Sequence, residues 1–185
     1  MKRVIFAALA ALSFNLASAA EPGAYVSVSA GSGEQKLSAE GVSITDNATA
    51  FQLAAGYRYT PYVGAEIGYT NLGKASISGD GLTVSSKPQS IHLAVTGNWD
   101  VGPQFAVTGK LGLAHNRTKL EASAGGLSES DTESKNSLFF GVGVAYTFAP
   151  NAAVIVDYQN FGKLIKEDGA DLKGHVVSAG LRYNF

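Results

Sequence analysis

The stretch SLFFGVGVAYTF, residues 137–148, alternates large apolar side chains with mostly small ones from end to end. Successive side chains of an extended chain point to opposite faces, so six large residues share one face: Leu138, Phe140, Val142, Val144, Tyr146 and Phe148. Facing water, such a row would promote aggregation, whereas hydrocarbon is a matching solvent for it. The stretch therefore predicts a β-strand whose bulky face contacts lipid.

The same alternation recurs along the chain and predicts eight strands. They fall at residues 24–33, 49–59, 62–72, 89–100, 104–116, 137–148, 151–161 and 175–185. Three connections are very short and contain proline, so they join antiparallel neighbours directly. The other four are long and fall at residues 34–48, 73–88, 117–136 and 162–174. This arrangement predicts an all-β fold, an eight-stranded antiparallel up-and-down transmembrane β-barrel.

A lipocalin-like soluble barrel is the alternative, because it also alternates but turns its large residues inward. The charge distribution separates the two. The predicted strands contain six charged residues, Arg58, Glu66, Asp100, Lys110, Asp157 and Arg182. A water-facing strand surface would carry many more. The smaller face is mainly Gly, Ser, Ala and Thr, which suits a narrow lumen, so the larger face is expected to look outward.

Residues 1–20 have the order of a secretory signal peptide, with two basic residues, an apolar run and an ASA tripeptide. Cleavage is expected after Ala19 or Ala20, which leaves a barrel domain over residues 21–185. A membrane-anchoring helix is the alternative, but the apolar run is short for a bilayer and is interrupted by Ser13 and Asn15.

Aromatic residues cluster beside the short turns and the chain ends. The cluster contains Tyr25, Tyr57, Tyr59, Tyr62, Trp99, Phe105, Tyr146, Phe148, Tyr183 and Phe185. This placement predicts a girdle at one membrane interface; the alternative is chance clustering of core aromatic residues. Lipid offers no hydrogen bonds to the backbone, so the sheet must close and the last strand is expected to pair with residues 24–33.

Five charged residues fall on the inner face by alternation: Arg58, Glu66, Lys110, Asp157 and Arg182. Unpaired charge in a filled lumen is costly, so ion pairing is expected. Two roles follow. The set is either a polar plug that makes the barrel rigid, or a gate that opens a narrow ion path when Lys110 and Arg182 exchange partners.

Catalysis, metal binding and cofactor binding are not predicted. The best nucleophile and base, Ser90 and His92, share a face but point into the lumen, whereas His175 and Ser178 lie on opposite faces. The three histidines have no metal-site spacing. The chain has no cysteine, so no disulfide is expected, and its net charge of −1 does not indicate nucleic-acid binding.

The exported chain, the eight alternating strands, the three tight turns and the ending LRYNF resemble the outer membrane protein A transmembrane domain and its small relatives, such as outer membrane protein X. The resemblance implies a cell outer membrane location with periplasmic termini and extracellular loops, and a monomer. It implies that Tyr183 and Phe185 form the signal read by the barrel assembly machinery. It also implies that Glu66, Lys110, Asp157 and Arg182 form an interior salt-bridge cluster. The peptidoglycan-binding domain of outer membrane protein A is not expected after the eighth strand.

The long connections are expected to carry any specific recognition. The alternating segments KLSAEGVSIT in the first and ASISGDGLTVSS in the second predict hairpins that protrude above the membrane, whose edges can bind proteins by strand addition. Lys163, Lys166 and Lys173 are expected either to meet lipopolysaccharide phosphates or simply to aid solubility. The predicted function is structural and surface-interacting, of the adhesion or host-evasion type, through four extracellular loops. Its expected partners are outer-membrane lipid and lipopolysaccharide, and host surface or serum proteins. A gated ion pore and a lipid A-modifying enzyme are the alternatives.

Overall fold

A computed structural model describes residues 22–39, 42–79, 82–124, 127–167 and 170–185. The expected signal peptide and its cleavage site lie outside these residues. The strands are β1 Gly23–Ala39, β2 Val42–Arg58, β3 Val63–Asn71, β4 Ala75–Gly79, β5 Leu82–Asp100, β6 Phe105–Ala124, β7 Leu127–Ala149, β8 Ala152–Glu167 and β9 Ala170–Asn184. Among the described residues, no helix is long and apolar enough to cross a membrane.

The strands form one closed antiparallel sheet in the order β3-β2-β1-β9-β8-β7-β6-β5-β4, and pairing between β3 and β5 closes it. β3 and β4 pair with successive parts of β5, so together they count as one interrupted strand of an eight-stranded barrel. Gly73 lies at the interruption between them with a φ of +84°, a conformation that favours glycine. The predicted fold class is confirmed.

The two ends of the chain close the barrel. β1 pairs with β9 from Tyr25 opposite Asn184 to Ala39 opposite Ala170. At the last residue, the Phe185 N–H donates to the Ala24 carbonyl at 2.9 Å. The predicted pairing of the last strand with the first is confirmed, and it satisfies backbone groups that lipid cannot.

The outer face of the barrel is apolar over the part nearest the short turns. Leu93, Leu113 and Leu138 are 64%, 66% and 67% exposed, although leucine normally lies in a core. Within residues 137–148, Phe140 is exposed while its neighbour Phe139 is fully buried in the lumen. The bulky face of each strand therefore looks outward, as predicted.

The strands run far beyond the apolar band as paired hairpins. β1 and β2 stay paired out to Ala39 opposite Val42, and β4 and β5 out to Gly79 opposite Leu82. Both protruding hairpins predicted in the first two long connections are confirmed. Residues 117–136 and 162–174 were predicted to be loops, which is wrong in extent, since β6–β7 and β8–β9 remain paired through most of them.

The protruding part is divided into two sheets. The outer part of β2, over residues 42–46, pairs with β1 but with no second strand among the described residues. Likewise, the pairing recorded between β7 and β8 begins at Phe140 opposite Asn160 and runs toward the short turn. One sheet therefore contains the outer parts of β8, β9, β1 and β2, and the other contains those of β7, β6 and β5 with β4.

Candidate functional site

Ion pairs cross the lumen and join three strands, β3, β6 and β8. Lys110 on β6 lies with its Nζ 2.8 Å from Glu66 Oε1 on β3 and 3.7 Å from Asp157 Oδ1 on β8. All three residues are at most 5% exposed. A single ammonium group thus faces two carboxylates in a site that excludes most water, where electrostatic interactions are stronger than in bulk solvent.

Glu66 is the most heavily contacted member of this group. Its Oε1 also lies 3.3 Å from His92 Nε2, and its Oε2 accepts a hydrogen bond from the Tyr25 hydroxyl at 2.9 Å. The guanidinium of Arg182 stacks over the Tyr25 ring, 4.7 Å from its centroid, a cation–π geometry. Arg182 therefore reaches the charged group through Tyr25.

The expectation that Tyr25 belongs to the interfacial girdle was wrong, because this residue is only 3% exposed and lies inside the lumen. The position of Tyr25 near the end of the chain suggested a place at the membrane interface. The alternation of β1 predicted the correct face, the inner one. Val26 and Val28 face outward, so Tyr25 has the same parity as Ser27 and Ser29 on the inner face.

Arg58, the remaining charged residue assigned to the inner face, makes no direct contact with the Glu66, Lys110 and Asp157 trio in the contacts given above and lies closer to the short turns. It is buried near the short turns, and its Nη2 donates to Asn184 Oδ1 at 2.8 Å. The five residues thus divide into a directly contacting trio, an arginine linked through a tyrosine, and a second arginine at the short-turn end.

A network of neutral side chains lies beyond the charged group, toward the protruding hairpins. Gln52 Oε1 accepts from Ser29 Oγ at 3.0 Å and from Ser178 Oγ at 3.1 Å. Gln52 Nε2 donates across the lumen to Gln159 Oε1 at 3.3 Å. These bonds join β2 to β1, β9 and β8, so they brace opposite walls of the barrel.

An apolar layer fills the lumen at the base of the protruding hairpins. Its members are Ala50, Leu72, Ala94, Ala114, Phe139, Phe161 and Val176. The Phe139 and Phe161 rings lie 5.3 Å apart, and the His92 ring stacks on Phe139 at 4.1 Å. The sequence reading, which emphasised small lumen residues, missed this layer. Its signal was the inward parity of the two phenylalanines.

The residues considered for catalysis do not assemble. Ser90 Oγ and His92 Nδ1 each lack a hydrogen-bond partner within the described part of the chain. His175 instead lies beside Glu34, with 3.3 Å between Nε2 and Oε2, and His115 contacts Asn136. Among the described residues, no three metal-ligating side chains lie together in a group that could hold a metal ion.

The aromatic residues assigned to the girdle lie at the short-turn end. Seven are exposed: Tyr57, Tyr59, Tyr62, Trp99, Phe105, Tyr146 and Phe148. Tyr183 is half-buried and contacts the exposed Phe185 ring at 5.3 Å. The side chains of Lys163, Lys166 and Lys173 lie outside the described part of the structure.

Comparison with known families gives one match over nearly the whole chain. A family model described as "Outer membrane protein beta-barrel domain" matches residues 4–185. Outer membrane protein A of Shigella flexneri is 30% identical over 134 residues, and that of Salmonella typhi is 29% identical over 134 residues. Each alignment covers 70% of this chain but only 38% of the relative.

Solved structures with the same fold include two bacterial surface proteins. The neisserial surface protein A has a TM-score of 0.66 at 22% identity, covering 88% of this chain and 97% of its own. Ail, the attachment invasion locus protein of Yersinia pestis, solved with the heparin analogue sucrose octasulfate, has a TM-score of 0.58 at 21% identity, covering 87% and 99%. At these identities the likeness shows the fold alone.

Proposed function

The chain belongs to the family of outer membrane protein β-barrel domains, and we propose that its barrel is a rigid anchor that displays two protruding sheets for binding extracellular proteins. In outer-membrane barrels the short turns face the periplasm and the long connections face outward. On that basis the termini are periplasmic and the hairpins are extracellular. The exposed aromatic girdle anchors the periplasmic interface, while Tyr183 and Phe185 serve as the assembly signal.

The observation that carries the surface-binding role is the unpaired outer edge of β2. An exposed strand edge presents backbone groups to which an extended peptide can add. Residues 42–46 of β2 read VSITD and β4 reads ASISG, so the two strands beside this gap contain one charged residue. The opposite gap is bordered by β7 residues 129–135, ESDTESK, where charged side chains blunt the edge. The gap between β2 and β4 is therefore the binding side. The structure of Ail with a heparin analogue supports surface-ligand binding by a barrel of this fold.

A pair of matched edge variants tests this role. Val42→Lys combined with Ile44→Lys places charge on the open β2 edge, and Thr132→Lys combined with Ser134→Lys does the same on the β7 edge. Cells displaying each variant are applied to immobilised serum and extracellular-matrix proteins. We expect the β2 variant to bind no better than cells without the barrel, and the β7 variant to bind like the parent.

Gel mobility before and after boiling verifies that both variants fold, because folded barrels change mobility on heating. Equal binding by the two folded variants, or parental binding no higher than that of barrel-free cells, contradicts strand addition at β2.

A narrow ion pore is a second candidate function, favoured by one observation. Lys110 lies between Glu66 and Asp157, so one cation has two alternative partners whose exchange can rearrange the lumen. The apolar layer around Phe139 and Phe161 closes the same lumen independently of these charges. We therefore assign the charged group primarily to a plug, and planar-bilayer recording distinguishes the two roles.

A further inference from the structure

A pocket of about 190 Å³ lies at the short-turn end of the lumen, on the side of the charged group away from the apolar layer. Its polar lining includes Arg58, Asn98, Asp100, Gln104, Arg182 and Asn184. None of the contacts assigned above to the plug or to the protruding sheets requires an open space here.

Two arginines line this pocket. Arg58 and Arg182 are 8% and 6% exposed, so two like charges are held beside one small space. Within the described residues, Arg182 makes no direct ion pair with a carboxylate, and its Nε has no hydrogen-bond partner. A buried donor without a hydrogen-bond partner carries a desolvation cost.

A neutral donor completes the site. Asn98 is 6% exposed, and its Oδ1 accepts from Thr108 Oγ1 at 3.2 Å. Its Nδ2 has no partner within the described part of the chain. The amide of Gln104 adds polar capacity at the mouth, and the carboxylate of Asp100, which is exposed, leaves the lining with an excess of one positive charge.

We propose that this pocket binds a small, freely diffusing tetrahedral oxyanion of the phosphate class. Guanidinium N–H groups match the geometry of phosphate oxygens, and charge-assisted hydrogen bonds of this kind are stronger than neutral ones. Arg182 Nε and Asn98 Nδ2 are donors that the described part of the chain leaves unused. Both atoms are buried, so small side-chain rotations turn them toward the anion, whose negative charge offsets the like charges of the two arginines.

Titration of the folded mature chain in a non-ionic detergent with inorganic phosphate tests the proposal. The readout is the ¹H–¹⁵N resonance of each arginine Nε–H, with chloride added at matched ionic strength as the reference. We expect the Nε–H resonances of Arg58 and Arg182 to shift with phosphate concentration until they saturate. With chloride we expect no saturable shift. Arg182→Gln should weaken phosphate binding by about tenfold or more, as is typical when a hydrogen bond to a charged group is removed.

Asn98→Ala is the second variant, because it removes a donor without disturbing the Tyr25 contact of Arg182, and it should weaken binding whether or not Arg182→Gln folds. Lys87→Gln is the control. It changes a basic residue on the β5 hairpin that does not line the pocket, so this variant should bind phosphate like the parent. Shifts that stay linear with concentration, or unchanged affinity in Asn98→Ala, overturn the proposal. In phosphatidylcholine nanodiscs without added phosphate, resonances already at their bound positions would assign the pocket to a lipid headgroup and overturn it as well.

Discussion

Two lysine–glutamate contacts of nearly equal length show how burial changes the meaning of an ion pair. Lys110 and Glu66 meet at 2.8 Å with almost no exposed side-chain surface, whereas Lys87 and Glu121 meet at 2.9 Å with 41% and 29% of theirs exposed. Water screens the second pair and competes for its hydrogen bonds. In the first pair, either partner alone would be a buried, uncompensated charge.

Replacing each lysine by methionine separates these situations. Lys110→Met leaves Glu66 and Asp157 without their shared cation, and removing one partner of a buried pair costs roughly 3–5 kcal/mol. Lys87→Met, the matched control, should lower the free energy of unfolding far less, because water screens the Lys87–Glu121 pair. Urea unfolding of both variants in lipid vesicles measures the difference.

The same Lys110→Met barrel, recorded in planar bilayers, decides between plug and gate. We expect its conductance to equal that of the parent, because Phe139 and Phe161 still fill the lumen. A clear change in conductance would instead support the gated pore. Equal losses of stability in Lys110→Met and Lys87→Met would show that the lumen pair is solvated and brings no rigidity.

Alternation in the sequence predicts the face of the strand on which a residue lies. It does not predict which residues that side chain contacts across the lumen. Glu66 and Lys110 could be assigned to one inner surface because parity is local information. The Gln52–Gln159 hydrogen bond and the Phe139–Phe161 contact depend on the register between different strands. No short segment of sequence encodes that register. Tyr25 was misplaced because its position near the chain end was weighed above its parity.

At the scale of elements, strand length and membrane thickness differ widely. A transmembrane strand needs about 9–11 residues, and β7 contains 23. Outward residues become polar at Gln89, His115 and Asn136 on three adjacent strands, which marks where the protruding hairpins begin. Beyond that level the first two hairpins kept a predictive alternation, but residues 117–136 lack regular apolar alternation, so their strand pairing was not predicted.

The β5–β6 hairpin has an electrostatic contact outside the membrane that can be titrated. Hydrogen bonds from Lys87 and Lys119 lower the pKa of the Glu121 carboxyl from its ordinary value of 4.5 to about 2. Because the folded pKa is lowered, the contact stabilises the hairpin at neutral pH. That contribution is lost as the pH falls from about 4.5 toward 2. The Glu121 carboxyl ¹³C shift, followed against pH in detergent, should show this low midpoint.

Lys87→Ala together with Lys119→Ala should return the Glu121 midpoint close to its ordinary value, and added salt should raise it in the parent because exposed charges are screened. Lys135→Ala, a change on the neighbouring strand β7, is the control and should leave the midpoint where it was. A Glu121 midpoint that ignores both lysines would show that the three side chains do not meet in solution.

For the whole molecule, closure and the outward-facing apolar surface were the most predictable properties. Both follow from one repeated requirement, that every strand turn apolar residues to lipid and pair all of its backbone groups. Eight segments obey that rule independently, so an error in one boundary does not change the barrel. The division of the protruding part into two sheets has no such redundancy, because it depends on where the pairing of β2 with β3 and of β7 with β8 stops.

Trp99, the single tryptophan of the chain, reports the depth of the whole barrel. It is 56% exposed on the outer face of β5, beside the short turn that follows Asp100. Lipids brominated near the headgroup should therefore quench its fluorescence more strongly than lipids brominated near the end of the acyl chain.

Leu93→Trp in a Trp99→Phe background is the matched comparison, because Leu93 is exposed on the same face. It lies six residues along a tilted strand, roughly 15 Å deeper, so its quenching order should be reversed. The same order at both positions, or quenching of Trp99 by aqueous acrylamide as strong as that of free tryptophan, would mean that the apolar face does not contact hydrocarbon.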